Sequence, residues 1–185
     1  MIKVFIGGSR NITRLTKDIK DRIDNIMQKG FSILIGDANG ADKSVQKYLF
    51  DKCYCDVHVF CMGNECRNNI GHWETRHITG KRNKKDYDYY SIKDLEMAME
   101  TDYGFMIWDG KSKGTLNNII NLLKENKKVL VYFSPTNEFY NLISFHELEN
   151  LLSKCEKRFL DIFEEKFEVS QIFKKEQLLG QGINP

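Results

Sequence analysis

The sequence IKVFIGGSR at residues 2–10 is the strongest indication of the fold of this chain of 185 residues. A short apolar run leads directly into two glycines, a serine and an arginine, which is typical of a β-strand that ends in a tight turn. Apolar residues then recur at helical spacing from Ile12 to Ile26, and Gly30 marks the end of that helix. The chain is therefore predicted to begin with a strand, a glycine-rich loop and a helix.

The same order repeats along the sequence. Further strands are predicted at residues 31–35, 56–61, 103–108 and 128–133, and single helices separate most of them. Strands that alternate with single helices favour a parallel sheet with right-handed crossovers. We therefore predict an α/β fold over residues 1–135, a Rossmann-like parallel sheet flanked by helices.

Two segments lie outside this alternation. Residues 79–90 are charged and rich in tyrosine, so they are predicted to form an exposed loop before a helix whose capping box starts at Ser91. After the sheet, apolar residues such as Phe139 and Leu142 are interpreted as the first of a helical segment. Residues 136–185 are therefore predicted to form a helical C-terminal extension.

The charge of the chain is nearly balanced, with 28 basic and 26 acidic side chains and a net charge of +2. This balance gives no general electrostatic attraction to duplex nucleic acid or to a membrane surface. No run of about twenty apolar residues is long enough to span a bilayer, and the first residues lack the pattern of a signal peptide. We therefore expect a cytoplasmic protein without a membrane partner.

Five cysteines raise the question of a metal site. Four of them lie between residues 53 and 66, but their C-x-C and C-x4-C spacings differ from the paired C-x2-C motif of zinc sites. Cys61 shares a predicted strand face with valines, so we expect reduced, buried cysteines, no metal and no cofactor. His72 and His77, with Arg76, either contact phosphate or lie on a partly exposed helix face.

Three glycine-rich loops follow predicted strands, at residues 7–10, 36–42 and 109–115. In an open parallel sheet, ligands bind outside the carboxyl ends of the strands, where loops meet helix N-termini. One such loop is often only a turn, but three in register, with hydroxyl and arginine side chains, predict a phosphate-bearing ligand. The loops contain neither a GxxxxGKS/T motif nor a complete GxGxxG, which argues against a Walker-type triphosphatase and an ordinary NAD dehydrogenase.

We predict that the phosphate lies against the amides around Gly8, Gly40 and Gly114. Trp108, at the end of its strand, either stacks on a base or belongs to the core, and the sequence leaves both interpretations open. The predicted ligand-binding residues are Gly7, Gly8, Ser9, Arg10, Gly36, Asp37, Asn39, Gly40, Asp42, Arg67, Asn68, Trp108, Asp109, Gly110, Ser112, Gly114 and Thr115.

These loops resemble the SLOG superfamily, a group of Rossmann-like nucleotide binders named after the SMF/DprA and LOG proteins. The resemblance covers roughly residues 1–133 and excludes the C-terminal extension. It rests on residues 7–10 and 36–42, most specifically on residues 108–115, and on the Arg67-Asn68 pair after the third strand. It implies a stand-alone bacterial or phage member of the superfamily that binds a nucleotide.

Within this superfamily, the LOG enzymes are similar to nucleotide N-glycosidases, and their motif P-G-G-x-G-T-x-x-E ends in a glutamate that acts on the ribose. The resemblance places Asn118 at the position of that glutamate, and an amide replaces a carboxylate poorly in this role. Whether the protein is an enzyme therefore stays open. Glu65 and Asp102 are our candidate catalytic carboxylates, although a solvated surface and a turn before a strand explain them as well.

The leading hypothesis is a sensor or sequestering protein for a nucleotide or a nucleotide-derived signal, of an ADP-ribose or cyclic type, because related domains are implied to sense such messengers. The alternative is a LOG-like phosphoribohydrolase that uses another carboxylate. Binding of single-stranded DNA ranks third, since only Lys81–Lys85 and Tyr87–Tyr90 suggest a basic, stacking groove. We therefore expect a nucleotide-like small molecule and a second copy of the chain as partners, and no nucleic acid.

Overall fold

The computed structural model describes residues 1–79 and 87–174. Seven strands are found in these two ranges: β1 (Lys3–Gly8), β2 (Ser32–Gly36), β3 (Val57–Met62), β4 (Glu74–Ile78), β5 (Tyr103–Trp108), β6 (Lys128–Phe133) and β7 (Glu138–Leu142). The same ranges contain the helices α1 (Lys17–Gln28), α2 (Ala41–Asp51), α3 (Tyr87–Glu100), α4 (Lys113–Lys124), α5 (Phe145–Leu152) and α6 (Lys157–Phe167).

The strands form one sheet in the order β4-β3-β2-β1-β5-β6-β7. All neighbouring strands are parallel except β7, which is antiparallel to β6. The chain leaves β1 toward β2, β3 and β4, and then crosses to the other side of β1 to form β5. This reversal creates a crevice at the carboxyl ends of β1 and β5, the usual ligand position in such sheets. The predicted α/β, Rossmann-like fold with helices on its faces is confirmed.

The core consists of two layers, one on each face of the sheet. Helices α1 and α2 bury Ile19, Ile23 and Val45 against one face. Helices α3 to α6 pack on the other face, where Phe163 of α6 is fully buried with its ring centroid 6.0 Å from that of Trp108. The C-terminal helices therefore share a hydrophobic core with the sheet. The domain boundary after residue 135 stays a prediction.

The sequence analysis predicts neither of the two edge strands, β4 and β7. Residues 74–78 read ETRHI and are largely exposed, so β4 has no apolar alternation by which it could be recognised. Arg76 and His77 therefore lie on a strand, and their interpretation as part of a helix face is wrong. Phe139 and Leu142 also belong to a strand, β7, because the edge of β6 offers them backbone partners in register.

The start of α3 and the state of two cysteines also differ from expectation. Helix α3 already includes Tyr87, four residues before the predicted start, and the Ser91 hydroxyl donates to the Asp88 carbonyl inside this helix rather than capping it. Cys61 and Cys66 form a disulfide, because the turn after β3 returns the chain to the end of that strand. The expectation of reduced thiols is wrong for this pair.

No helix in residues 1–79 and 87–174 has the length and apolar content needed to cross a membrane.

Candidate phosphate site at the carboxyl edge of the sheet

A cleft of about 70 Å³ opens at the carboxyl ends of β1, β2 and β5, between the first turns of α2 and α4 and the side of α3. We call it the carboxyl-edge cleft. Seven predicted ligand residues line it, namely Gly8, Arg10, Asp42, Arg67, Ser112, Gly114 and Thr115. The structure therefore brings residues from all three predicted loops to one place.

The first turn of α4 is the open part of this cleft. Ser112 caps the helix, and its side chain accepts a hydrogen bond from the Thr115 amide at 3.4 Å. Helix geometry leaves the amides of Lys113 and Gly114 without an intrahelical acceptor. A Cβ atom placed on Gly114 would meet no atom within 4 Å, so this turn faces free space. Two amides and the positive end of the helix dipole are therefore available to an anion.

Asn118 lies one helical turn after Gly114, on the same side of α4. The residue is 7% exposed, and its Oδ1 atom is buried without a hydrogen-bond partner among the described residues. A buried amide oxygen without a partner is destabilising, and most such atoms in folded proteins are satisfied. Because Asn118 lines the carboxyl-edge cleft, a ligand that donates a hydrogen bond there would satisfy this oxygen.

Asp109 and Ser9 stabilise the loop before α4 from within. The Asp109 carboxylate accepts hydrogen bonds from the amides of Lys111 at 3.0 Å and Ser112 at 2.8 Å. The Ser9 hydroxyl is fully buried, donates to Asp109 at 2.9 Å and lies 3.3 Å from the Thr115 hydroxyl. The Asp109 side chain thus takes up loop amides that the sequence analysis expected to face a phosphate. Neither Ser9 nor Asp109 lines the cleft, so their prediction as ligand contacts lacks support from the geometry.

A second set of contacts ties Arg67 to the loop after β2. Its guanidinium donates to both carboxylate oxygens of Asp37, at 3.1 and 2.5 Å. Burial alone would raise the pKa of Asp37, but the hydrogen bonds from Arg67 and the charge of Lys93 outweigh it and hold that pKa below its ordinary value. The guanidinium carbon of Arg67 lies 4.3 Å from the ring centroid of Tyr90, and that of Arg10 lies 5.9 Å from the same centroid. Two arginines therefore flank one aromatic ring at the mouth of the cleft.

The floor of the cleft contains a buried group of charges that the sequence analysis missed in part. Lys93 of α3 is 3% exposed, and its ammonium lies 2.5 Å from Asp94. Asp42 is 7% exposed and accepts a hydrogen bond from the Ala38 amide at 3.3 Å. Burial raises the pKa of Asp42 to about 6, although the charge of Lys93 opposes this shift. Burial therefore brings the loss of the Asp42 proton closer to neutral pH.

Lys93 and Asp94 could have been recognised from their position on the predicted helix. Lys93 lies four residues before Met97, so the two side chains share one face of α3, and Met97 is buried. A lysine on an apolar helix face indicates a buried counter-ion. Tyr90 is predicted to lie in an exposed loop, whereas in the structure it belongs to α3 and lines the cleft.

Packing and hydrogen bonds within the protein involve several of the predicted contacts. Trp108 is fully buried, and its indole nitrogen donates to the Ser112 carbonyl at 3.1 Å, so it belongs to the core and does not stack on a base. A Cβ atom on Gly8 would lie 2.4 Å from the Ile107 carbonyl oxygen, and one on Gly40 would lie 2.2 Å from the Arg10 carbonyl oxygen. Packing therefore explains these two glycines, and only the third predicted anchor faces open space. The remaining predicted residues, which do not line the cleft, are Gly7, Gly36, Asn39, Asn68 and Gly110.

Neither catalytic candidate lies in the cleft. Asp102 precedes β5 at the opposite edge of the sheet, where its carboxylate accepts a hydrogen bond from the Lys3 amide at 2.8 Å. Asp102 therefore lies away from the cleft, because the amino and carboxyl ends of a parallel strand face opposite edges. Glu65 is exposed in the turn after β3 and does not line the cleft. The carboxylates that do line it are Asp42 and Asp94.

Comparisons with known proteins give a fold relationship. No family model matches the chain, and no curated protein matches it. A solved structure of DNA processing protein A from Helicobacter pylori, described for its single-stranded DNA binding mode, is similar with a TM-score of 0.57 and 17% sequence identity. The match covers 94% of this chain and 81% of that chain. At this identity, the similarity establishes the shared fold.

This relationship corrects one prediction. A balanced net charge led us to expect no nucleic-acid partner, yet a protein with the same Rossmann-like fold has a single-stranded DNA binding mode. Net charge describes the whole surface, whereas binding depends on the charges and amides of one cleft. The exclusion of nucleic acid is therefore wrong.

Proposed function

We propose that the carboxyl-edge cleft binds the phosphate group of a nucleotide, and that the chain is a SLOG-like sensor or sequestering protein. The main support for this proposal is that one face of α4 presents both free hydrogen-bond donors and a free hydrogen-bond acceptor. The amides of Lys113 and Gly114 are donors that need an acceptor, and the Asn118 oxygen is an acceptor that needs a donor. A phosphate beside a sugar hydroxyl supplies both.

The dimensions of the cleft agree with this arrangement. A volume of about 70 Å³ is far below the range of about 300–1000 Å³ of whole-ligand pockets, so it would take only a phosphate and the adjoining part of a sugar. Asn118 lies about 5.4 Å, one helical turn, beyond the first turn of α4. The base would then lie outside the cleft beside Tyr90 and Arg67. This leaves room for larger nucleotide-derived signals, such as ADP-ribose.

Single-stranded DNA is an alternative ligand, because it also carries phosphate groups and because the fold is similar to that of DNA processing protein A. Its phosphodiester would use the same amides, and a base could stack at Tyr90.

A nucleotide N-glycosidase is favoured by a different observation, the pKa of about 6 at Asp42. A general acid works best when its pKa lies near the operating pH.

Isothermal titration with AMP, cyclic AMP, ADP-ribose and adenosine tests the proposal, and an oligodeoxythymidine of about ten nucleotides tests the DNA source. We expect AMP or ADP-ribose to bind and adenosine to bind at least about tenfold more weakly, since adenosine lacks the charge-assisted hydrogen bonds of the phosphate. Tighter binding of the oligonucleotide than of every mononucleotide would assign the site to DNA instead. Release of free base from a nucleoside monophosphate, lost in Asp42→Asn, would identify an enzyme.

Two substitutions that add the same charge to α4, one inside the cleft and one outside it, test the position of the phosphate. Gly114→Glu puts a carboxylate where the phosphate would lie and should weaken binding at least about tenfold. Asn121→Glu adds the same charge farther along α4, outside the cleft lining, and should leave binding nearly unchanged. Equal effects of the two substitutions, or no heat with any ligand at millimolar concentration, would refute the proposal.

A further inference from the structure

A second and larger cavity lies at the opposite, amino edge of the sheet. Its volume is about 440 Å³, within the range of about 300–1000 Å³ typical of small-molecule sites. We call it the amino-edge cavity. It lies between the C-terminal half of α1 and the strands β5, β6 and β7, and shares no lining residue with the carboxyl-edge cleft.

The floor of this cavity is apolar. Val4, Phe105 and Leu130 point to the face of the sheet that α1 and α2 cover, and the helical residues buried against that face come from these two helices. Beyond α1, the face continues onto β6 and β7, where apolar side chains reach solvent. Ile143, directly after β7, is 64% exposed. Apolar surface at the end of the sheet is therefore available to a ligand.

The rim of the cavity is cationic. Arg22, Lys29 and Lys128 line it, and the described lining residues include no aspartate or glutamate. Arg22 lies with its guanidinium carbon 5.7 Å from the ring centroid of Phe139, and the Lys29 ammonium lies 5.8 Å from that of Phe31. All three basic residues are exposed at this edge of the sheet.

We infer that the amino-edge cavity binds an amphiphilic anion, a small molecule with an apolar body and one carboxylate, sulfonate or phosphate group. The apolar body would fill the space above Phe105 and Leu130, and the anionic group would lie at the rim. A closed apolar cavity would suffice for a neutral ligand, and a basic surface alone would suffice for a polyanion. The combination selects a molecule that carries both features, and it does so independently of the proposed nucleotide site.

Fluorescence titration with 8-anilinonaphthalene-1-sulfonate tests this inference, followed by displacement with decanoate and with the uncharged decanol. We expect saturable binding with one site, and displacement by decanoate at about fivefold lower concentration than by decanol. Lys128→Glu should weaken binding of both anions about fivefold, the size expected when a surface attraction becomes a repulsion. Lys47→Glu is the matched control, because this exposed lysine of α2 lies outside both cavities and should change nothing.

Asn141→Trp supplies a second test that does not depend on charge. Its indole would occupy the cavity from β7, an edge strand that tolerates large aromatic residues, and binding should be lost while the circular dichroism spectrum is unchanged. Equal binding by wild type, Lys128→Glu and Asn141→Trp would overturn the inference. So would a stable dimer that Asn141→Trp separates into monomers and that anions do not affect, because the face would then be an interface between two copies.

Discussion

The Asn118 side chain has a buried, unpaired oxygen that the proposed ligand would satisfy. Its buried oxygen has no partner among the described residues, so replacement by alanine removes no hydrogen bond to that atom. We expect Asn118→Ala to leave the free energy of unfolding within about 1 kcal/mol of wild type and to weaken nucleotide binding about tenfold. Urea denaturation and titration calorimetry measure the two effects.

Asn117→Ala is the control for this substitution, because the neighbouring asparagine does not line the carboxyl-edge cleft. It should change neither measurement by much. If Asn118→Ala instead destabilises the protein strongly and leaves binding intact, the residue has a structural role only.

Asp42 should make stability depend on pH. Its pKa is about 6 in the folded protein against an ordinary value of 3.8, so between these values the folded state holds a proton that the unfolded state has released. The free energy of unfolding contributed by this group therefore falls as pH rises from about 4 to about 6, by about 2–3 kcal/mol, and stays low above that range. Asp42→Asn should flatten this decline in urea denaturation curves recorded from pH 4 to pH 8. An unchanged slope would show that another group is responsible.

Helix α4 organises the candidate site through its cap. The Ser112 side chain accepts a hydrogen bond from the Thr115 amide and so fixes the direction of the first turn. Ser112→Ala should lower the free energy of unfolding by about 1 kcal/mol, as expected for a lost N-cap, and should also weaken phosphate binding because the turn loosens.

Ser144→Ala is the control for Ser112→Ala, because it removes the cap of a different helix. Ser144 caps α5 in a capping box, far along the chain from the cleft lining. Its loss should have a similar cost in stability and no effect on nucleotide affinity. Parallel losses of affinity in both variants would mean that binding follows global stability and not the first turn of α4.

The whole molecule should unfold as one unit. Phe163 of α6 is fully buried and packs against Trp108 of β5, so the C-terminal helices and the sheet share one layer of the core. Phe163→Ala should lower the free energy of unfolding by about 3–5 kcal/mol and keep a single transition. Circular dichroism and tryptophan fluorescence, followed in the same denaturation, should give coincident curves. Two separated transitions would show that the segment after residue 135 is an independent domain.

The alternation of apolar runs and amphipathic helices was enough to determine the parallel sheet, its flanking helices and the loops at its carboxyl edge. It did so because burial on both faces forces continuous apolar strands such as β1 and β5. The resemblance in the last loop also located Gly114 in the open first turn of α4 and Asn118 one turn later. These features depend on residues close in the chain, where local patterns hold the information.

Which predicted residues line the carboxyl-edge cleft became clear only from the tertiary structure. Ser9, Asp109 and Trp108 have the residue types expected of a binding site, yet they bond to the protein itself across separations of up to 100 residues along the chain. The edge strands β4 and β7 likewise exist because a neighbouring strand offers backbone partners, not because their own side chains specify them. A local pattern indicates which interactions a residue can make, but the partners of these interactions lie in segments distant in sequence. The contacts therefore form only when the chain folds.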